Sequence, residues 1–240
     1  MKKLKIFITI LLFALCLCGI VYALYGIFTE TREVETAETV SAVFTEFSPA
    51  DTIEKTESGS ALDAVIDEFR PKLTAMQKKN SDIIGWIYIP QTHINYPLLQ
   101  GSDNKFYLTH GADKSRSAAG SVFIDQNGFA ENTVIYGHNM GRSSNVIFHD
   151  ITNFSDKAWF EKARFGYIIT KDEVIRIDFF AYALTRPETK FYANIPDIEF
   201  IKDNAMYCRE YSGGRVFTLS TCAYDYKNAR AVLIGEEKVR

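Results

Sequence analysis

The sequence predicts a mainly β fold, a barrel or sandwich with a few helices packed outside it. Two observations carry this. From about residue 83 the chain breaks into short apolar, β-branched runs separated by turn residues, and only a few stretches show helical spacing of apolar residues. A third observation bounds the folded part: the composition changes near residue 61, where a polar segment gives way to periodic apolar patterning.

The elements follow in order. "ALDAVIDEFRPKLTAMQKKN" carries Leu62, Val65, Ile66, Phe69, Leu73 and Met76 at helical spacing, with Pro71 expected to kink or divide the helix. The β-like runs are "IIGWIYIP", "INYPLLQ", "GSVFIDQN", "NTVIYGHNM", "RFGYIITKDEVIRIDFFAYAL", "GRVFTLSTC" and "ARAVLIGEE". The fifth reads as a hairpin turning at "KDE". Two further stretches read as helices, residues 155–163 starting at Ser155 and roughly 196–212 starting at Asp197, with Cys208 on the latter.

The N-terminus has its own logic. "MKKLK" is basic, and residues 6–28 form a run of 23 residues without a charge. As a helix that run reaches ~34 Å, enough for a ~30 Å hydrocarbon core. The lysines favour a cytoplasmic N-terminus at residues 1–5, a single transmembrane signal-anchor at 6–28 and everything beyond it outside. Cleavage after Ala23 is the competing reading, although a cleaved signal usually has a shorter apolar region of ~7–15 residues. Cys16 and Cys18 follow leucine rather than the small residue of a lipoprotein signal, and read as ordinary span residues, with S-palmitoylation the other option. Residues 29–60, rich in Glu, Thr and Ser, read as an extracellular tether. Residues 61–240 are then the folded part.

Bulk composition excludes some classes. The chain of 240 residues is 47% hydrophobic with a net charge of −3, and setting aside the lysines at 2, 3 and 5 leaves 24 basic against 30 acidic residues, or −6. That is no footprint for nucleic acid. Four cysteines, two of them in the apolar run, make no disulfide framework. No two Cys or His residues fall at zinc-ligand spacing, so neither a metal nor another cofactor is expected.

The chemistry gathers at strand ends. "TLSTC" ends a strand on Cys222, Arg230 opens the next strand, and "NTVIYGHNM" ends a strand on His138. A thiolate is a nucleophile, an imidazole can take or give its proton, and a guanidinium can bond a carbonyl or an oxyanion. Each residue also has a plainer reading. Cysteine after a strand is commonly a small core residue, Arg230 can be a surface charge, His93 and His110 read as surface or locally bonded side chains, and His149 reads as packing near a helix start.

The quoted segments, in this order, resemble a sortase, a membrane-anchored cysteine transpeptidase. The resemblance covers most of residues 62–240 and rests on "INYPLLQGSDNKFYLTHG", "GSVFIDQN", "NTVIYGHNM" and "TLSTC" with its following arginine. The helical segment before the barrel, the helix-bearing insertion between "FFAYAL" and "GRVFTLSTC", and "YGHNM" resemble class B. No inhibitory lid motif of the pilus-building class is found in residues 29–82.

The resemblance implies an eight-stranded β-barrel with an N-terminal helical pair and a helix inserted before the cysteine strand. It implies that Cys222 is the nucleophile and that His138 and Arg230 complete the catalytic set. Secreted proteins bearing a C-terminal sorting motif like Asn-Pro-x-Thr-x are the implied substrates, and a peptidoglycan precursor or cross-bridge amine is the implied acceptor. Asn95, Leu99, Tyr136, Ser220 and Tyr192 are the matching substrate-binding positions. Asp225 is the acid available to orient the histidine, but its closeness in sequence to Cys222 argues against its reaching His138. Two other readings stay open: a cysteine hydrolase that gives the acyl group to water, and a silent, membrane-tethered binding protein.

Overall fold

Strand alternation sorts the side chains of this protein into an inside and an outside. In the computed structural model, which describes residues 2–55, 62–141 and 144–238, nine strands form one sheet. They are β1 (Ile83–Tyr88), β2 (Asn95–Gln100), β3 (Phe123–Ile124), β4 (Asn132–Tyr136), β5 (Phe165–Thr170), β6 (Val174–Thr185), β7 (Tyr207–Cys208), β8 (Val216–Cys222) and β9 (Arg230–Glu237). The order is β5-β1-β2-β3-β4-β8-β9-β6-β7, and a further β5–β6 pairing closes the first eight into a barrel. The two-residue β7 is left as a flap on β6. Closure removes the exposed edges that an open sheet presents.

One cluster of buried residues fills the barrel, including Ile87, Leu98, Ile135, Ile168, Phe179, Phe217, Leu219 and Leu233. On β8 the inward side chains are Phe217 and Leu219, so Thr218, Ser220 and Cys222 face outward. The expected hairpin is β5 and β6, with Ile169 opposite Val174.

A second cluster lies outside the barrel, where α3 (Leu62–Lys79) sets Val65, Ile66, Phe69, Leu73 and Met76 against Trp86 and Ile169. Those are the apolar positions read from the helical spacing. Pro71 does not divide this helix, which runs on through it. A third cluster seats α5 (Ile198–Asn204) and Phe191 against Val232 and Ile234 on β9.

Two helix boundaries differ from expectation. Asp156, not Ser155, caps α4 (Lys157–Lys162), because its carboxylate accepts the Ala158 N–H at 2.8 Å. Asp197 caps α5 as expected, accepting from Phe200 N at 3.0 Å, but the helix ends at Asn204. Cys208 therefore sits on the short β7 and is exposed. The backbone there pairs with β6, and that pairing overrides a helical spacing carried by few apolar residues.

The segment expected to be a tether is structured where the structure describes it; its last residues, 56–60, and residue 61 lie outside the described residues. Helix α1 (Lys2–Ala42) continues past the apolar run without a break. A helix already nucleated adds residues easily, and the threonines join it by bonding back one turn: Thr31 to Ile27 O and Thr36 to Arg32 O, both at 2.8 Å. Beyond it Phe44 is fully buried, with Lys79 lying 5.4 Å from its ring, and the short α2 (Ala50–Glu54) adds Ile53 to the same cluster. Gly111 has no side chain because Val40 fills that space: a Cβ there would lie 2.1 Å from Val40 Cγ1. Phe44, Ile53 and Val40 are thus among the apolar residues by which the described part of this segment packs on the rest of the chain.

Candidate functional site

Outward-facing residues of β4, β8 and β9 wall a cleft of about 380 Å³. Cys222, His138, Arg230, Tyr136, Ser220 and Tyr192 all line it. Register explains the meeting of the thiol and the guanidinium. Cys222 and Arg230 are direct partners in the antiparallel β8–β9 pair, so their side chains leave the same face, with Cβ atoms about 5 Å apart in such pairs. The loop 223–229 that joins them is closed by Ala223 N to Ala229 O at 3.0 Å.

The imidazole arrives on β4. Tyr136 pairs with Ser220 in the parallel β4–β8 ladder, and His138 follows two residues beyond, next to the end of β8. Gly137 is needed between them, since a Cβ at that position would lie 2.7 Å from Phe148 Cγ. His138 Nε2 lies 2.8 Å from the Leu108 carbonyl oxygen. A carbonyl only accepts, so Nε2 carries the proton and Nδ1 is the nitrogen left free to exchange one.

The insertion roofs the cleft beside β8. Thr218 Oγ1 bonds Asn132 Oδ1 at 2.8 Å, and the Tyr192 hydroxyl meets Ser220 Oγ at 2.9 Å. Cys222, next on that face, is partly exposed. Burial raises the Tyr192 pKa, while its bond to Ser220 and the nearby Arg230 charge oppose the rise. Burial and the Asp125 carboxylate hold the Tyr136 phenol well above its ordinary value. Both phenols stay protonated at neutral pH.

Asn95 and Leu99 do not reach this cleft. Asn95 Oδ1 accepts from Trp86 Nε1 at 2.7 Å and Ser48 Oγ at 2.8 Å, and Leu99 is fully buried in the cluster under α3. Another Asn–Leu pair with the same spacing, Asn104 and Leu108 in "SDNKFYL", lines the cleft instead. Asn104 is held there by Asp125, which accepts from its amide at 2.6 Å. The repeated spacing was the signal available in the sequence. Asp225 is exposed and borders a separate cleft with Tyr182 and His149, and it does not line the cleft that holds Cys222.

A thiol, an imidazole and a guanidinium around one cleft are the side-chain types that a cysteine enzyme of the acyl-transfer class uses. Comparison with known proteins makes this particular. A family model described as the sortase domain matches residues 87–238. Sortase B of Listeria monocytogenes is 34% identical over 188 residues, covering 70% of this chain and 75% of that protein. Among solved structures, a mutant form of Clostridium perfringens sortase B superposes with a TM-score of 0.69 at 23% identity, over 83% of this chain and 97% of that one, a likeness of fold. The Staphylococcus aureus sortase B–substrate complex gives 0.64 at 25% identity, over 70% and 85%. The chain belongs to the sortase family. Within it the chain is a cysteine transpeptidase of the sortase B type.

Proposed function

We propose that the protein is held in the cytoplasmic membrane by residues 6–28, faces outward, and joins secreted proteins to a peptidoglycan amine. The observation that carries the chemistry is the cross-strand pairing of Cys222 with Arg230 in the cleft that also holds His138. The Cys222 thiolate attacks the carbonyl after the threonine of a sorting motif like Asn-Pro-x-Thr-x. Arg230 bonds the oxyanion as charge builds on it. The carbon–nitrogen bond breaks, and the leaving amine takes a proton from His138. The thioester is resolved by the acceptor amine, whose proton returns to His138 as the thiolate leaves. Tyr136, Ser220 and Tyr192, with Asn104 and Leu108, bind the motif.

The exposed apolar side chains from Ile6 to Phe28 support the anchor, since that stretch is long and apolar enough to cross a bilayer. The test is incubation of the protein with a library of sorting peptides, with and without an added amine, read by mass spectrometry. Cleavage after threonine with amine-dependent transfer is expected. Release to water alone at saturating amine would instead assign a hydrolase.

A further inference from the structure

We propose that Asn139 is a positioning residue that locks the backbone of the histidine loop to the backbone of the nucleophile; this rests on Cys222 and His138 being the catalytic pair. The parallel β4–β8 ladder runs to Gly137, whose N–H donates to Ser220 O at 3.2 Å. Continued by one more rung, the ladder would set the backbone N–H of Asn139 on Cys222 O. The side chain takes that place: Asn139 Nδ2 donates to Cys222 O at 3.0 Å. The chain is thereby released from strand geometry at His138 without leaving the nucleophile's carbonyl unmet.

Asn139 is 6% exposed, and its side-chain oxygen and its carbonyl are also committed. Its Oδ1 accepts from Gly141 N at 3.0 Å and meets His149 Nδ1 at 2.9 Å. Its carbonyl accepts the Tyr224 hydroxyl at 2.8 Å, while the His138 carbonyl accepts Phe148 N at 3.0 Å. The amide orientation follows from its partners, because the Cys222 carbonyl can only accept and the Gly141 N–H can only donate. His149 Nδ1 is then the donor whether its ring is neutral or charged. One side chain ties three points of the site: the loop after His138, the residue Cys222 and the turn at His149.

Asn139→Ala and Asn139→Asp test this in the full-length enzyme, assayed by peptide cleavage. Aspartate keeps the acceptor oxygen for Gly141 and His149 but loses the donor to Cys222. Both variants should lose about tenfold in kcat, the equivalent of one hydrogen bond's free energy, with KM changed by less than about twofold. A variant that merely loosened the fold would instead lose active enzyme in proportion to a fall in thermal stability. Near-parental kcat for folded Asn139→Asp would overturn the inference, because the rung to Cys222 would then be dispensable. Tyr224→Phe covers the case in which Asn139 variants do not fold, since Tyr224 is 69% exposed and its loss leaves the core intact. It should lower kcat about threefold at constant KM, by loss of part of a hydrogen bond's worth; an unchanged kcat would overturn the proposal. Turnover by Cys222→Ala is a separate result and would overturn the nucleophile reading itself.

Discussion

Cys222 and Arg230 are opposite one another in the last register pair of β8 and β9. The two strands set Arg230 opposite the thiol, and its Nη1 donates to the Ala229 carbonyl oxygen at 3.1 Å. For Arg230→Lys the charge stays but the planar fork of donors is lost. Peptide cleavage should fall on the order of 10²-fold, the range for removal of an oxyanion donor, and Arg230→Ala should be as poor or poorer. Steady-state kinetics on folded variants decide this, and near-normal turnover by Arg230→Ala would leave a Cys–His pair.

Two thiols in the folded part allow a paired test. Cys222→Ala should abolish cleavage and transfer with the fold intact, because one small side chain replaces another at a partly exposed position. Cys208→Ala, on the far β7, should keep most activity. A folded but inactive Cys208→Ala would show that the wrong thiol has been assigned.

The Tyr192–Ser220 bond at 2.9 Å fixes one wall of the cleft. Tyr192→Phe removes it and leaves the ring. Its net worth of about 1 kcal/mol translates to a roughly fivefold loss in kcat/KM, expressed mainly as a higher KM for the sorting peptide. An unaltered KM would assign the pair to the scaffold.

Tyr96 gives the protein an alkaline limit. Burial, aided by Asp150 and Glu38, pushes its pKa up to about 12, against the opposing bond from Ile147 N. In the unfolded chain the phenol titrates near ~10. Below that pH both states hold the proton and the contribution is complete. Above it only the folded state does, so stability falls as pH rises from roughly 10 toward 12. Melting temperatures across that window should drop less steeply for Tyr96→Phe, and parallel curves would refute the assignment. Tyr136 and Tyr182 shift in the same direction, so one substitution removes only one share.

Phe44 tests whether the segment after α1 is part of the folded unit. It is fully buried beside Phe69 and Met76. Phe44→Ala should destabilise by about 3–5 kcal/mol, the usual cost of emptying such a site. Denaturant unfolding measures it, and a change below about 1 kcal/mol would mean that residues 29–55 behave as a tether after all.

Much of this was present in the order of the residues. Alternation along "VFTLSTC" already put Thr218, Ser220 and Cys222 on one face, and "NTVIYGHNM" put Tyr136 and His138 on one face of the neighbouring strand, because a strand repeats every two residues whatever surrounds it. The apolar run at 6–28 and the core face of α3 were legible for the same reason, local periodicity. What the linear order does not contain is which of two equivalent local patterns meets the cleft. Asn95–Leu99 and Asn104–Leu108 have identical spacing, and only the pairing of β2 with β1 and the Asp125 contact send the first under α3 and the second to the thiol. The fate of Phe44, the short β7 under Cys208 and the Asn139 bond to Cys222 were likewise decided by tertiary structure. Each depends on contacts between residues far apart in the chain, whose free energy exceeds the small local preferences that composition and spacing express.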